Sequence, residues 1–117
     1  MRVHNLYTDA KGESHFRDIE IALDQKRPPF SVFSKTMPAT GIIFRRTDGD
    51  YDLDWHPAPR RQYIVNLDGA VKITASDGEA RIINAGEILL VEDVTGKGHK
   101  SQSVGGKTRH SLFIPVE

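Results

Sequence analysis

The chain has 117 residues, no cysteine, 10 Gly and 6 Pro, and its 16 Lys plus Arg are offset by 16 Asp plus Glu. Zero net charge gives no broad pull toward nucleic acid or anionic lipid, both of which call for a basic surplus. Without cysteine there is no thiol nucleophile, zinc ribbon or iron–sulfur site, so a metal would fall to His, carboxylate or amide ligands.

The opening residues Met1 to Leu6 lack the apolar h-region of a signal peptide. No apolar run approaches the roughly 20 residues of a membrane helix. A cytoplasmic protein without a membrane partner is therefore expected. No segment has the period of an amphipathic helix. Ile19, Ile21 and Leu23 alternate with Asp18, Glu20 and Ala22, the two-residue period of a half-buried strand. Gln25 to Pro38, with Pro28-Pro29 and Pro38, reads as a surface crossing or edge strand. Strand-like runs follow at 40–46, 61–67, 70–75, 79–83, 87–91 and 109–114, with a more polar one at 98–104 where His99, Ser101 and Ser103 share a face. Asp48-Gly49, Asp68-Gly69, Asp77-Gly78 and Asn84-Ala85-Gly86 punctuate these runs as turns. Many short strands with tight turns predict a single all-β domain, a sandwich or barrel.

Three places gather residues capable of chemistry. In Trp55-His56-Pro57-Ala58-Pro59-Arg60-Arg61-Gln62, prolines stiffen the approach to a strand and hold His56 at its mouth. Along that strand Gln62, Ile64 and Asn66 fall on one face, and Tyr63, Val65 and Leu67 on the other. Two amides on a buried face need polar partners, which a cavity inside the barrel would supply. The second place is Glu92-Asp93-Val94-Thr95-Gly96-Lys97-Gly98-His99, with two carboxylates, a glycine-rich loop and a histidine. It lacks the spacing and helix of a P-loop, though another phosphate-cradling loop stays open beside a plain solvated turn. The third is His15, which reads as a surface residue, and His4 and His110 are not taken as ligands.

Taken together, the first two places resemble the cupin superfamily of small β-barrels. The first cupin motif is commonly G-(X)5-H-X-H-(X)3-4-E-(X)6-G. Here His56, Ala58, Gln62 and Gly69 keep its spacing, with Gly49 one position early as the leading glycine. In the second motif Asn84-Ala85-Gly86 stands for the P-X-G turn, and His99 for the last metal-binding histidine. The resemblance spans Thr40 to Pro115. It implies a double-stranded β-helix, or jelly-roll, barrel over residues 40–115, preceded in 1–39 by N-terminal strands and the proline-rich crossing.

The departures bear on function. Ala58 replaces the second histidine and cannot ligate, while Gln62 replaces a glutamate and offers only a neutral oxygen. The resemblance thus implies at most one weakly held divalent transition metal (Zn, Fe, Mn or Ni) on His56, Gln62 and His99. The implied function is a monocupin binding a small molecule in its barrel. Its chemistry would be metal-assisted or histidine-based, of isomerase, lyase or dioxygenase type, with His56, His99 and Glu92 as catalytic groups. Trp55, Arg61, Gln62, Tyr63 and Asn66 would touch the substrate, and Arg60 and Arg61 at the mouth suit an anionic ligand. The alternative is a non-catalytic, metal-free binding or sensing cupin. A homodimer is expected by family analogy, and no nucleic-acid partner.

Overall fold

Alternating apolar residues and glycine turns produce an architecture of strands alone. The computed structural model, which describes residues 1–117, contains β1 (Arg2–Thr8), β2 (Ser14–Glu20), β3 (Gln25–Arg27), β4 (Ser31–Phe33), β5 (Ile43–Thr47), β6 (Asp52–His56), β7 (Gln62–Asn66), β8 (Val71–Ala75), β9 (Ala80–Ile83), β10 (Ile88–Val91), β11 (His99–Ser103) and β12 (Arg109–Pro115). No helix is long and apolar enough to cross a membrane.

One sheet has the order β2-β1-β10-β7-β12-β5 and the other β6-β11-β8-β9, with β3 and β4 paired as a separate ribbon. Only β1 and β10 run parallel. That pairing joins the N-terminal strands to the barrel, because His4, Asn5 and Leu6 lie in register with Leu89, Leu90 and Val91.

Between the sheets, Leu6, Phe16, Val71, Ile73, Ala75, Ile83, Leu89 and Val91 form the core. Burying a side chain such as Leu89 stabilises the fold by about 1.5–3 kcal/mol. The core occupies only part of the interior, and the space left beyond it toward β5, β7 and β12 becomes the cavity described below.

The Asp-Gly turns do not use left-handed conformations at both residues. At Asp77-Gly78 only the glycine has positive φ, at +98°, and no non-glycine residue has a positive φ. At Asp48-Gly49 the requirement is space: a Cβ on Gly49 would lie 2.1 Å from the carbonyl oxygen of Gly106.

Candidate functional site

Period-two alternation along β7 turns Gln62, Ile64 and Asn66 into a cavity of about 240 Å³ inside the barrel. Its walls also include His56 and Ala58 at the β6 end, Leu89 and Val91 of β10, and His99 and Ser101 of β11. Arg109 and Phe113 of β12, Ile43 and Arg45 of β5, and Tyr51 close the other side. At about 30 Å³ per water, the space holds roughly eight water-sized groups, a small molecule and nothing larger.

The two histidines meet because β6 and β11 pair with His56 directly opposite His99. Their rings lie 4.5 Å apart between centroids, tilted by 56°. His99 Nδ1 is 2.5 Å from Asp93 Oδ2, with both side chains buried. His56 Nδ1 donates to the main-chain oxygen of Asp54 at 2.7 Å, which puts its proton on Nδ1. In each ring Nε2 is left as the nitrogen available to a ligand. The loop carrying Asp93 is tied to the β6 exit, since the Ala58 amide donates to the Asp93 carbonyl at 3.0 Å.

Two buried oxygens in this region have no protein partner, Gln62 Oε1 and Asp93 Oδ1. Buried polar atoms are almost always satisfied, so such orphans mark places where a bound molecule or water completes the bonding. Deeper in, Asn66 accepts from Ser111 Oγ at 2.8 Å and donates to the Ile83 carbonyl at 3.3 Å.

Positive charge gathers at the far side of the cavity. Arg109 is only 6% exposed. Its Nη1 donates to Ser103 Oγ at 3.1 Å, and its guanidinium lies 5.2 Å from the Tyr51 ring centroid. Arg45 stands 4.9 Å from the Phe113 ring and 5.8 Å from the Tyr51 ring. Burial lowers the pKa of Arg109 below the ordinary arginine value; Tyr51 opposes that shift, and the neighbouring charge of Arg45 adds to it.

Of the residues singled out in the sequence, His56, Arg60, Gln62, Asn66 and His99 line the cavity together, and Trp55, Arg61, Tyr63 and Glu92 do not. Trp55 is exposed under Lys100, 5.4 Å from its ring. The Tyr63 hydroxyl points to Met37 Sδ at 3.9 Å. Arg61 and Glu92 form an ion pair of 2.7 Å, and Glu92 also accepts from Asn5 at 2.8 Å. The carboxylate joined to His99 is therefore Asp93, one residue further along and on the opposite side of the chain. Arg109, Arg45, Tyr51 and Ser101 are cavity residues that the sequence reading missed. The alternation of Arg109, Ser111 and Phe113 along β12 was the available signal.

The glycine-rich loop is not a phosphate cradle. Lys97 pairs with Glu13 at 2.8 Å, and its amide donates to the Gly12 carbonyl at 2.9 Å. A Cβ on Gly96 would lie 2.5 Å from that same Gly12 oxygen. Backbone packing against the 9–13 turn accounts for the glycine there. His15 bridges Asp9 and Asp77 outside the cavity at 2.7 and 2.8 Å, and its pKa is raised by hydrogen bonds to Asp9 and then Asp77.

A resident divalent metal fits this set poorly. His56 and His99 offer two imidazole nitrogens, Ala58 offers none, and Gln62 brings no charge. No group of three His, Cys, Asp or Glu side chains gathers where an ion would be held.

No protein-family model matches this sequence, and no curated protein does. Among solved structures, the cupin domain of Schizosaccharomyces pombe Cnp3 is similar at 13% identity, with a TM-score of 0.52 over 89% of this chain and 73% of that one. SPY1581, a conserved protein of unknown function from Streptococcus pyogenes, matches at 19% identity and a TM-score of 0.48, over 72% of this chain and 71% of its own. At such identities the likeness is one of fold, and the chain has the all-β, cupin-type jelly-roll architecture.

Proposed function

We propose that this cupin-fold protein binds a small organic molecule in its barrel and that His99, oriented by Asp93, moves a proton on it. The observation that carries the reading is the buried His99–Asp93 pair at 2.5 Å, beside His56 at the wall of an otherwise mostly apolar cavity. A carboxylate on Nδ1 keeps that nitrogen protonated and stabilises the imidazolium formed when Nε2 takes a proton from a ligand. His56, fixed in its own orientation by the Asp54 carbonyl, is placed to hold a ligand oxygen or to return a proton. Gln62 Oε1 supplies an acceptor that no group of the protein satisfies. None of these steps draws on a metal.

The test is a thermal-shift screen of small sugars, hydroxy acids and oxo acids. Each stabilising compound is then incubated in heavy water and followed by NMR for exchange of its carbon-bound hydrogens. A ligand that raises the melting temperature by mass action and exchanges with wild type but not with His99→Gln supports the proposal. Stabilisation without exchange by any ligand overturns proton transfer and leaves a binding protein. No stabilisation across the screen overturns both parts.

A further inference from the structure

Two side chains of formal charge lie buried in this protein apart from the histidines: Arg109 in the cavity wall, and Asp93 behind His99, which lines the same cavity. Asp93 is answered by His99. Arg109 is answered by no carboxylate; the exposed Arg45 beside it, and the exposed Arg60 at the His56 end of the cavity, take part in no ion pair either, whereas Arg2, Arg61 and Arg81 all do. A buried charge without a counter-ion is costly, and protein interiors rarely keep one. Here the guanidinium groups of Arg109 and Arg45 are held by the Tyr51 and Phe113 rings and by Ser103, a weakly attractive setting that leaves most of their fork-shaped donors free.

The polar ends are aligned by a single strand. His99, Ser101 and Ser103 alternate along β11, with His99 on Asp93, Ser101 sharing a 2.5 Å hydrogen bond with the Tyr51 hydroxyl, and Ser103 receiving Arg109. Four residues at about 3.3 Å each separate the two ends by roughly 13 Å of strand. Between them Ile64, Ile73, Leu89 and Val91 give apolar wall, interrupted by the uncharged Gln62, Asn66 and Ser101.

Resting on the reading that the barrel holds a small molecule, we propose that Arg109 and Arg45 form a carboxylate subsite. The ligand is then a small monocarboxylic acid with an apolar body whose far end meets His99. Bidentate guanidinium pairing supplies the missing counter-charge, and the apolar walls reject a ligand charged along its length. Before binding, Arg109 carries uncompensated charge, so the free protein is less stable for having it.

The experiment compares benzoate, 4-hydroxybenzoate and hexanoate with their neutral amides and with inorganic phosphate, by calorimetry on wild type and Arg109→Met. The acids are expected to bind wild type at least tenfold more tightly than the amides. In Arg109→Met acid affinity should fall by roughly 10- to 100-fold, the range for a charged hydrogen-bonded contact, while amide affinity stays within about twofold. The melting temperature of the free variant should equal or exceed that of wild type, a result that an arginine kept for structure would not give. Amides binding as tightly as acids overturn the carboxylate subsite and leave the small-molecule reading standing. Phosphate binding more tightly than the acids overturns it in favour of a phosphorylated ligand. A free variant that melts well below wild type overturns it in favour of a structural role for Arg109. If no compound binds here, nor any in the broader screen, the small-molecule reading falls and the subsite with it.

Discussion

Replacing Gly98 by alanine tests how His56 and His99 are brought together. Gly98 has φ of +72°, and a Cβ there would meet the carbonyl carbon and oxygen of His56 at 2.2 Å and the nitrogen of Pro57 at 2.5 Å. All three are backbone atoms, so no side chain can swing aside. To move from 2.2 Å to the 3.4 Å of ordinary contact, the end of β6 must retreat by about 1.2 Å. An L-residue in the left-handed region adds about 1–2 kcal/mol. Loosening the ladder where His99 opposes His56 removes one or two hydrogen bonds of about 1 kcal/mol each. The sum is about 2–4 kcal/mol, a large part of the roughly 5–15 kcal/mol that holds a domain folded. Gly78→Ala is the control, because φ is +98° there and nothing lies within 4 Å of the added carbon. That variant should lose only the conformational part, about 1–2 kcal/mol. Urea unfolding of both variants measures the difference, and His56 and His99 ring proton shifts report whether the ring contact survives. Equal midpoints for the two, or unchanged ring shifts in Gly98→Ala, would show that the close approach does not hold the pair together.

Three further outcomes follow from the same geometry. Asp93→Ala leaves buried His99 without its Nδ1 partner and should lower stability by about 3 kcal/mol in urea unfolding; a loss under about 1 kcal/mol contradicts the burial of that pair. His15, raised by Asp9 and Asp77, contributes stability that is full below the unfolded histidine value near pH 6.5 and fades as pH rises through its higher folded value. The melting temperature of wild type relative to His15→Gln should therefore be greater at pH 6 than at pH 8, and parallel pH profiles for the two refute it. Restoring charge and a third imidazole with Ala58→His and Gln62→Glu should create stoichiometric zinc or nickel binding beside His56 and His99. Metal analysis after dialysis is expected to find about one ion in that double variant and far less in wild type, and the reverse result would show that the natural residues do suffice.

The strands of the barrel were legible wherever one face is dry and the other wet. β5, β7, β8, β9, β10, β11 and β12 all lie within a residue or three of the runs marked by alternation and turns. The resemblance implied N-terminal strands, but no hydropathy period marks β1, because its environment cancels the signal. Val3, His4, Asn5 and Leu6 are consecutively buried, and the polar pair is satisfied by neighbours: His4 by Glu87, Asn5 by the Leu90 carbonyl, Glu92 and Arg17. A strand flanked on both sides, with a buried polar network, has no two-residue hydropathy pattern to read. β6 was missed for the opposite reason. Asp52 to Trp55 are exposed throughout, and what makes them a strand is pairing with β11, a partner more than 40 residues away in sequence.

The same period explains which site residues were misplaced. Adjacent residues on an extended chain face opposite ways, so His56 and Gln62 line the cavity and Asp93 is buried against His99, while Trp55, Arg61, Tyr63 and Glu92 point away from it. Motif spacing locates a site to within a residue, and only the phase of the strand decides between neighbours. Where the phase was read, at Gln62, Ile64 and Asn66, the face was right. The arginine end was hidden more deeply. Arg109 and Arg45 converge because β12 pairs with β5, opposing Arg109 to Thr47 and Ser111 to Arg45. No local pattern encodes that register. Zero net charge conceals it too: equal totals say nothing about which cations have partners, and a single unpaired guanidinium inside the barrel outweighs many paired ones outside, because only the buried one lacks water to screen it.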